Sequence, residues 1–340
     1  MIKLKKIPFI DARGTNYEIG FTIGKKLRKQ LRETILIEKA EYKKETGKLL
    51  TNYAKTIHPL VEITKKYFPH YLEELRGMAD GAKIKFDLLF AAGCADEIVY
   101  GCTSIAGLSD EGPIVGHNED WLTNHANSLY ICRIWRGKKP QSISLNYIGR
   151  LPGYCVGYNA AKLAFTDNYL NCKAKKIGVP WQFLKRGFLD AKKNSDLAKI
   201  ASFKNKIIGG NSLIVLKNKI FDLEMFPQGY AVLNRKKYLA HTNHIISNNL
   251  DKEESREEES VWRLNRANQL LKNEIFDSSL VKKILSDHKN RPFSLCCHEY
   301  EKKGAVPFMT LASVIIKPKN GEFWVAHGNP CHSRYRKFTL

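Results

Sequence analysis

Long apolar segments are missing from this 340-residue chain. No stretch approaches the roughly 20 consecutive apolar residues that a membrane-spanning helix requires. The N-terminal residues 1–8 carry lysines but lack an apolar core of the length found in a signal peptide. Internal repeats and low-complexity linkers are also absent. We therefore expect a globular protein of the cytoplasm, without a membrane span.

The eight cysteines do not show the spacing of a small disulfide-bonded domain, and they favour a reduced, intracellular setting. No histidine lies in a local signature of papain-like proteases, which argues against a Cys–His catalytic pair. Zinc-ligand residue types do cluster locally, but adjacent cysteines chelate less well than the usual C-x₂-C spacing, so we predict no metal site. The residues in question are Cys296, Cys297, His298, Cys331 and His332.

Acidic residues are too few to balance the basic ones. The sequence has 34 Asp and Glu against 56 Lys and Arg, which gives a net charge of +22. Such a charge attracts anions, including nucleic acid, an acidic membrane surface or a phosphate-bearing substrate. The excess is mostly lysine scattered along the chain, and no nucleic-acid-binding motif accompanies it. We therefore do not expect nucleic acid as a partner.

The first hundred residues are predicted to be mainly helical. Apolar residues recur every fourth position from Ile19 to Leu31, which predicts a helix over residues 16–46. Pro59 would lie in the first turn of the second helix or at a kink within it. The further helices are predicted over residues 53–67, 71–79 and 86–92.

The pattern changes to strands just after residue 102, beginning with a hairpin. An apolar run from Thr103 is followed by a polar turn at residues 109–112 and a second strand over 113–117. Further strands are predicted over residues 129–135, 142–147, 154–158, 163–166, 212–216, 220–225, 230–234, 238–241, 311–316 and 323–326. Helices are predicted over 181–192, 196–203 and 279–286, with another that ends near Leu271 after the charged residues 251–260. The alternation indicates a layered α+β architecture.

The hairpin brings together a thiol, the glycine before it and returning polar residues. A cysteine thiolate can attack the carbonyl of the preceding residue, and Gly101 leaves that carbonyl unshielded because it lacks Cβ. Hydrolysis of the resulting thioester would free Cys102 as a new N-terminus. Its α-amine, with a reference pKa of roughly 7.7–8.0, would then act as base for the thiol. A Gly-Cys pair taken alone is more often a buried core cysteine.

Several motifs in order along the chain resemble one enzyme family. Cys102-Thr103-Ser104, followed by Asn118-Glu119-Asp120-Trp121, is similar to the acyl-coenzyme A:6-aminopenicillanic acid acyltransferase family of self-cleaving N-terminal-nucleophile hydrolases. The likeness continues at Glu224 and in four segments, residues 209–212, 241–244, 310–315 and 327–331. The resemblance implies a four-layer αββα sandwich forming one compact domain. In it, residues 1–101 would become a small subunit that stays associated with residues 102–340 after cleavage.

The resemblance also implies roles for individual residues. Self-cleavage would occur between Gly101 and Cys102, and Cys102 would then supply both the nucleophile and, through its α-amine, the base. Asp120 corresponds to the family aspartate that organises the cleavage site. The side-chain amide of Asn243 matches the oxyanion donor, a type of group whose removal costs roughly 3–4 kcal/mol. Taken alone, Asn243 is more often a turn residue and Asp120 a turn-stabilising carboxylate.

Three further residues are expected to support the site. Thr103 and Ser104 follow the nucleophile and can lend hydroxyl or backbone N–H groups. Asn168 lies at a predicted strand end, where polar side chains often contact substrate, although an Asx turn explains it equally well.

The implied function is a self-processing cysteine acyltransferase or amide hydrolase. It would take the acyl group of a small acyl-amide or acyl thioester onto Cys102 and pass it to an amine or to water. No cofactor is expected, although acyl-coenzyme A could serve as the acyl donor. Conjugated bile salt and penicillin V hydrolases begin at the nucleophile, so the hundred residues before Cys102 argue against that subgroup. The alternative from another class is an unprocessed basic binding protein of the same fold that recognises anionic ligands.

Overall fold

Four layers of secondary structure make up the protein. The computed structural model describes residues 2–94, 101–172, 177–233, 237–247, 258–272, 274–300 and 307–340. Two β-sheets pack face to face, and helices cover the outer face of each. This is the αββα sandwich expected from the family resemblance. No helix among these residues is both long and apolar enough to cross a membrane.

The helices agree with the predicted pattern except near the start of the chain. Their bounds are α1 (Asn16–Lys26), α2 (Arg28–Thr46), α3 (Leu50–Tyr53), α4 (His58–Tyr67), α5 (Pro69–Ala82), α6 (Phe86–Ala92), α7 (Trp181–Asp190), α8 (Asn194–Ala201), α9 (Glu258–Leu271) and α10 (Ser278–Leu285).

The single helix predicted over residues 16–46 is wrong, because the chain changes direction at Leu27, with φ −103° and ψ 14°. The apolar stripe continues across the break, which is why periodicity alone did not reveal it. The helix predicted over residues 53–67 begins only at His58, since Pro59, which has no N–H, fits the first turn. Of the charged segment 251–260, residues 251–257 lie outside the described part of the chain.

The strands are β1 (Phe9–Arg13), β2 (Thr103–Ser109), β3 (Gly112–Leu122), β4 (Leu129–Arg136), β5 (Lys139–Tyr147), β6 (Val156–Asn159), β7 (Leu163–Phe165), β8 (Asn168–Leu170), β9 (Gly209–Leu216), β10 (Lys219–Met225), β11 (Tyr230–Leu233), β12 (Tyr238–His241), β13 (Phe308–Lys317), β14 (Glu322–His327) and β15 (Arg336–Thr339). The nine-stranded sheet has the order β1-β4-β5-β6-β7-β9-β10-β11, with β8 also paired to β9. The six-stranded sheet has the order β12-β2-β3-β13-β14-β15.

Three strands were not predicted. Strand β1 lies in the segment predicted to be helical and pairs in parallel with β4, more than a hundred residues away. Strand β8 follows the predicted strand over 163–166 and pairs with β9. Strand β15 forms the edge of the six-stranded sheet beside β14. The partners of β1 and β8 are distant in sequence, which a local pattern does not reveal.

Apolar side chains fill the space between the two sheets and hold them together. Ala106 and Val115 from the six-stranded sheet pack with Leu145, Val156 and Val215 from the nine-stranded sheet. On the far sides, α1–α8 pack on the nine-stranded sheet, and α9 and α10 pack on the six-stranded sheet. Each sheet is therefore buried on both faces.

The predicted hairpin is confirmed and forms the centre of the six-stranded sheet. Thr103 pairs with Asn118 across β2 and β3, so residues 119 and 120 return to the level of Cys102. Asp120 also pairs with Thr310 on β13. The hairpin thereby delivers a carboxyl side chain beside the Gly101–Cys102 junction.

Helices α1 and α5 cross at pairs of glycines. A Cβ atom added to Gly20 or Gly24 would lie 1.8 or 2.0 Å from a backbone carbonyl oxygen of α5. One added to Gly77 or Gly81 would lie 2.0 or 2.3 Å from a carbonyl oxygen of α1. The absence of side chains at these positions permits the close approach, which positions the helical layer on the nine-stranded sheet.

We predict that Gly77→Ala destabilises the protein by about 1–3 kcal/mol, because the added methyl group meets backbone rather than a movable side chain. The measurement is the urea unfolding midpoint in a Cys102→Ala background, which keeps processing from complicating the comparison. Gly187→Ala is the matched control: its Cβ would lie 3.2 Å from the end of the Ile200 side chain. This helix-interior change should stay within about 1 kcal/mol of the parent. Equal effects of the two changes would contradict the prediction.

Candidate active site

Cys102 lies immediately before β2 and is buried, with its side chain at the wall of a cavity. Its Sγ lies 3.7 Å from Glu119 Oε1 and 4.0 Å from the backbone oxygen of Asp120. Burial raises the pKa of the Cys102 thiol well above its usual value, and the charges of Glu119 and Asp120 raise it further. The thiol is therefore protonated at neutral pH and needs a base before it can attack a carbonyl.

The buried guanidinium of Arg263 connects three of the predicted site residues. From α9, its Nη1 donates to the carbonyl oxygen of Cys102 at 2.7 Å and to Thr103 Oγ1 at 3.1 Å. Its Nη2 donates to Asn243 Oδ1 at 3.0 Å. A Cβ on Gly101 would lie 2.5 Å from this Nη2, so the absence of a side chain at Gly101 makes room for the guanidinium.

Two asparagine amides are candidate donors to a developing oxyanion. Asn243 uses one N–H for the carbonyl oxygen of Tyr169, at 3.1 Å, and its amide nitrogen carries a second hydrogen. Asn168 is fully buried, and its Nδ2 has no hydrogen-bond partner among the residues described. Its Oδ1 accepts a hydrogen bond from the Ser104 hydroxyl at 2.7 Å.

Asp120 is a buried carboxyl group at the other side of the nucleophile. Burial raises its pKa well above the usual range, and Glu119 raises it further, while the Arg263 guanidinium and the Thr310 hydroxyl act in the opposite direction. Thr310 lies beside the carboxyl group without completing a well-formed hydrogen bond, and neither carboxyl oxygen has a partner in the described part of the chain. The protonated form is therefore favoured, which makes Asp120 a potential proton donor.

Glu119 and His117 form a buried pair that the sequence did not bring to notice. They are two residues apart on β3 and so share the face that meets the nine-stranded sheet. His117 Nε2 lies 2.9 Å from Glu119 Oε2, and the Tyr147 hydroxyl donates to Glu119 Oε1 at 3.0 Å. This places a carboxyl group between the Cys102 thiol and an imidazole.

The hydrogen bonds around His117 define where its protons lie. The Ser104 hydroxyl donates to Asn168, so it accepts a hydrogen bond from His117 Nδ1 at 2.9 Å. One proton then lies between His117 Nε2 and Glu119, in an ion pair or in a neutral pair with a protonated carboxyl group. The pair can exchange a proton with the thiol next to it.

Carboxyl groups are numerous in the wall of the cavity at Cys102, and most of them have a basic partner. The described residues that line the cavity include five with carboxyl groups, the guanidinium of Arg150 and the imidazole of His125, which lies 2.9 Å from Glu41. Arg150 pairs with one of the carboxyl groups at 2.9 Å. Burial raises the pKa of another, Asp167, to about 6 against the effect of Lys185, so it is mostly ionised at neutral pH. The five are Glu38, Glu41, Glu45, Glu119 and Asp167.

Aromatic rings form much of the remaining wall of this cavity. Trp121 and Tyr154 each lie close to Tyr147, with ring centroids 6.3 and 6.2 Å apart. The other rings that line the cavity belong to Tyr42, Tyr169 and Trp181. A wall that combines carboxylates and aromatic rings suits a cation attached to an apolar or aromatic body.

Comparison with known proteins identifies the family of the chain and agrees with its fold. A family model described as acyl-coenzyme A:6-aminopenicillanic acid acyl-transferase matches residues 108–332, well over half of the chain. The chain belongs to this family. The matched segment contains Asp120 and Asn243 and begins just after Cys102.

Individual relatives of this family member are acyltransferases and amide hydrolases. The chain is 23% identical over 334 residues to the 40 kDa form of the acyl-coenzyme A:6-aminopenicillanic-acid acyltransferase of Emericella nidulans, covering 94% of this chain and 92% of the relative. It is 28% identical over 215 residues to the beta-alanyl-dopamine/carcinine hydrolase of Drosophila melanogaster, and that match spans 54% of each protein. The chain therefore spans about half the length of this second relative.

A solved structure shows the same fold. The Caenorhabditis elegans ortholog of N-acylethanolamine-hydrolyzing acid amidase superimposes with a TM-score of 0.50 at 14% identity, over 70% of this chain and 100% of the other. This likeness concerns the fold, which is that of the N-terminal-nucleophile hydrolases.

The structure places the predicted residues at one centre, and their roles remain predictions. Gly101, Cys102, Thr103 and Asn243 meet at Arg263. Ser104 and Asn168 bond to each other on the side of the nine-stranded sheet, and Asp120 lies near Arg263. The residues that sequence reasoning missed are Arg263, His117, Glu119 and the α2 carboxylates Glu38, Glu41 and Glu45.

We predict that Glu119→Gln makes the Cys102 thiol more reactive, because it removes a negative charge that raises the thiol pKa. Reactivity at a fixed pH should rise by up to roughly tenfold for each unit by which the pKa falls. The measurement is the rate of alkylation of the Cys102 peptide against pH, followed by mass spectrometry. Glu111→Gln, at an exposed turn residue paired with Lys317, is the control and should leave the rate unchanged. A Glu119→Gln profile that coincides with the parent profile would contradict the prediction.

Proposed function

We propose that the protein is a self-processing N-terminal-nucleophile enzyme that hydrolyses small acyl-amides through an S-acyl-Cys102 intermediate. The observation that carries the proposal is the position of the Gly101–Cys102 junction. It lies at the wall of a cavity, next to Arg263, Asn243 and Asp120. Family membership supports the reaction class.

Self-cleavage would begin at the thiol. Glu119, 3.7 Å from Sγ, accepts the thiol proton, and the sulfur attacks the carbonyl carbon of Gly101. The peptide C–N bond breaks, and the leaving amine of Cys102 takes a proton, for which the protonated Asp120 is the nearest candidate. A water molecule then hydrolyses the thioester, which leaves a carboxylate on Gly101 and a free amine and thiol on Cys102.

Turnover would reuse the new amine. The α-amine of Cys102 takes the thiol proton, and the thiolate attacks the substrate carbonyl. The oxyanion accepts hydrogen bonds from Asn243 Nδ2 and Asn168 Nδ2, and the departing amine takes the proton held by the α-ammonium. Water, activated by the same amine, releases the acid from sulfur. An amine that entered in place of water would give acyl transfer instead.

The charge of the cavity favours one class of substrate. The carboxyl groups that α2 contributes to the wall and the aromatic rings beside them match an acyl-amide that carries an ammonium group and an aromatic ring. The name of the Drosophila relative describes such compounds, since a β-alanyl group has a free amine. The phosphates of acyl-coenzyme A would be repelled inside this cavity, so we propose an amide rather than a coenzyme A thioester as the acyl donor.

The processing step predicts two fragments. Intact-mass measurement of the purified protein after incubation at neutral pH should give residues 1–101 and residues 102–340, which elute together in gel filtration under native conditions. Cys102→Ala should remain one chain, because it has no nucleophile. Gly101→Ala should process more slowly, because its Cβ displaces the Arg263 guanidinium. A wild-type chain that stays uncut would contradict self-processing and favour the alternative, an unprocessed basic binding protein, which salt-sensitive retention on polyanions would reveal.

The substrate class is tested with three amides of dopamine, an amine that carries an aromatic ring. The N-β-alanyl compound is cationic, the N-propionyl compound neutral and the N-succinyl compound anionic. We expect kcat/KM to fall in that order, since the cavity carboxylates attract the ammonium group. Equal or faster hydrolysis of the neutral amide would contradict the substrate class and leave the reaction class intact.

Two variants on α2 test whether the carboxylates of this helix bind the cationic amide. Glu45→Gln should raise KM for the cationic amide by about two- to fivefold, which corresponds to up to about 1 kcal/mol for a partly exposed ion pair. Glu33→Gln is the matched control, because Glu33 lies on the same helix, is exposed and is not part of this cavity.

A further inference from the structure

We propose that His288, Cys296, His298 and Cys331 bind one zinc ion, in a site separate from the candidate active site. We call these four residues the Cys2His2 cluster. Their ligand atoms, two Sγ and two imidazole nitrogens, all lie within 4.8 Å of one another. They come from three loops: His288 follows α10, Cys296 and His298 precede β13, and Cys331 lies between β14 and β15.

The separations in the cluster are those of a tetrahedral zinc site. Zn–S bonds of about 2.3 Å and Zn–N bonds of about 2.0–2.1 Å place two sulfurs about 3.8 Å apart, sulfur and nitrogen about 3.6 Å apart and two nitrogens about 3.3 Å apart. The two Sγ atoms are 3.6 Å apart. His298 Nε2 lies 3.3 Å from Cys331 Sγ, 3.9 Å from Cys296 Sγ and 3.0 Å from His288 Nε2. These four separations lie close to the values for a tetrahedral site, and the ligand nitrogen of His288 lies within 4.8 Å of both sulfurs.

The donor set favours zinc over other common metals. Two thiolates and two imidazoles in a tetrahedral arrangement are typical of zinc, whereas magnesium and calcium prefer oxygen ligands. All four ligands come from the protein, so the coordination is complete without water. A closed site of this kind stabilises structure and supplies no chemistry.

The second shell also fits bound thiolates. Asn329 Nδ2 lies 3.5 Å from Cys296 Sγ, and such N–H donors support a negatively charged sulfur. The adjacent Cys297 points elsewhere, with its Sγ near the carbonyl oxygens of Pro292 and His298. The expectation that neighbouring cysteines chelate poorly therefore holds for this pair, but the second sulfur comes from Cys331, which is distant in sequence.

A metal bound here would stabilise the backbone next to the candidate active site. Cys297, next to the ligand Cys296, forms two hydrogen bonds with Thr310. Its backbone N–H donates to the Thr310 hydroxyl at 3.0 Å, and its carbonyl oxygen accepts from the Thr310 backbone N–H at 2.9 Å. Thr310 in turn lies beside Asp120 on the neighbouring strand. The ion would thus fix the loop before β13 and, through it, the surroundings of Asp120.

The test uses the full chain with Cys102→Ala. This change prevents self-cleavage. It also removes a ligand from the other group in the described chain whose ligand atoms lie within 4.8 Å of one another, which consists of Cys102, His117 and Glu119. We expect one zinc per chain by elemental mass spectrometry after dialysis with one equivalent of Zn²⁺. Replacement by Co²⁺ should give the visible bands of tetrahedral Co²⁺ together with thiolate charge-transfer absorption.

Variants assign the ion to the cluster. Cys331→Ser and His288→Ala should lose the Co²⁺ spectrum or bind the metal at least tenfold more weakly, whereas Cys297→Ser, the matched control, should keep both. A chelator should lower the thermal unfolding midpoint of the parent but not of Cys331→Ser, because a metal that binds only the folded chain stabilises it.

Three results would overturn the proposal: no bound metal and no Co²⁺ spectrum in the parent, equal loss of metal in Cys297→Ser, or a Cys296–Cys331 disulfide in peptide mapping of the freshly purified protein. Because the parent spectrum decides by itself, a ligand variant that fails to fold does not prevent the test. The outcome is independent of the proposed function, since none of these measurements depends on turnover.

Discussion

A buried arginine is the constraint on which the candidate active site depends. A guanidinium group removed from water needs acceptors, and Arg263 finds them in the carbonyl oxygen of Cys102, the Thr103 hydroxyl and the Asn243 amide oxygen. The same group fills the space where a side chain at residue 101 would lie. The hydrogen bonds of this one guanidinium group thus fix the backbone of Cys102 and orient the Asn243 amide, and the space that the group fills explains why a glycine precedes the cysteine.

The two faces of strand β3 contact different parts of the protein. His117 and Glu119 face the nine-stranded sheet, where they meet Ser104 and Tyr147 near the cavity. Asn118 faces the opposite side and donates to two carbonyl oxygens of the segment around α10. Because side chains alternate along a strand, three successive residues connect the proposed substrate side of the hairpin to the loops that carry the Cys2His2 cluster.

The wall of the cavity is rich in carboxyl groups, although the chain as a whole has a net charge of +22. Four of the five carboxyl groups lie beside a guanidinium, an ammonium or an imidazole group. Helix α2 belongs to the segment that self-cleavage would separate from the nucleophile. The proposed specificity therefore requires that both fragments remain packed together, which the buried interface between the helices and the nine-stranded sheet provides.

The sequence by itself determined the features that depend on neighbours along the chain. Helix α6 and the β2–β3 hairpin follow from periodicity and turn chemistry, and the ordered motifs indicated the family and the residues around Cys102. Only the tertiary structure decided which distant strands pair and which distant side chains come into contact. Strand β1 joins β4, Arg263 reaches Cys102 from α9, and Cys331 meets Cys296 from another loop. Local backbone geometry sets a period of 3.6 or 2 residues, whereas the meeting of distant side chains depends on how completed elements pack.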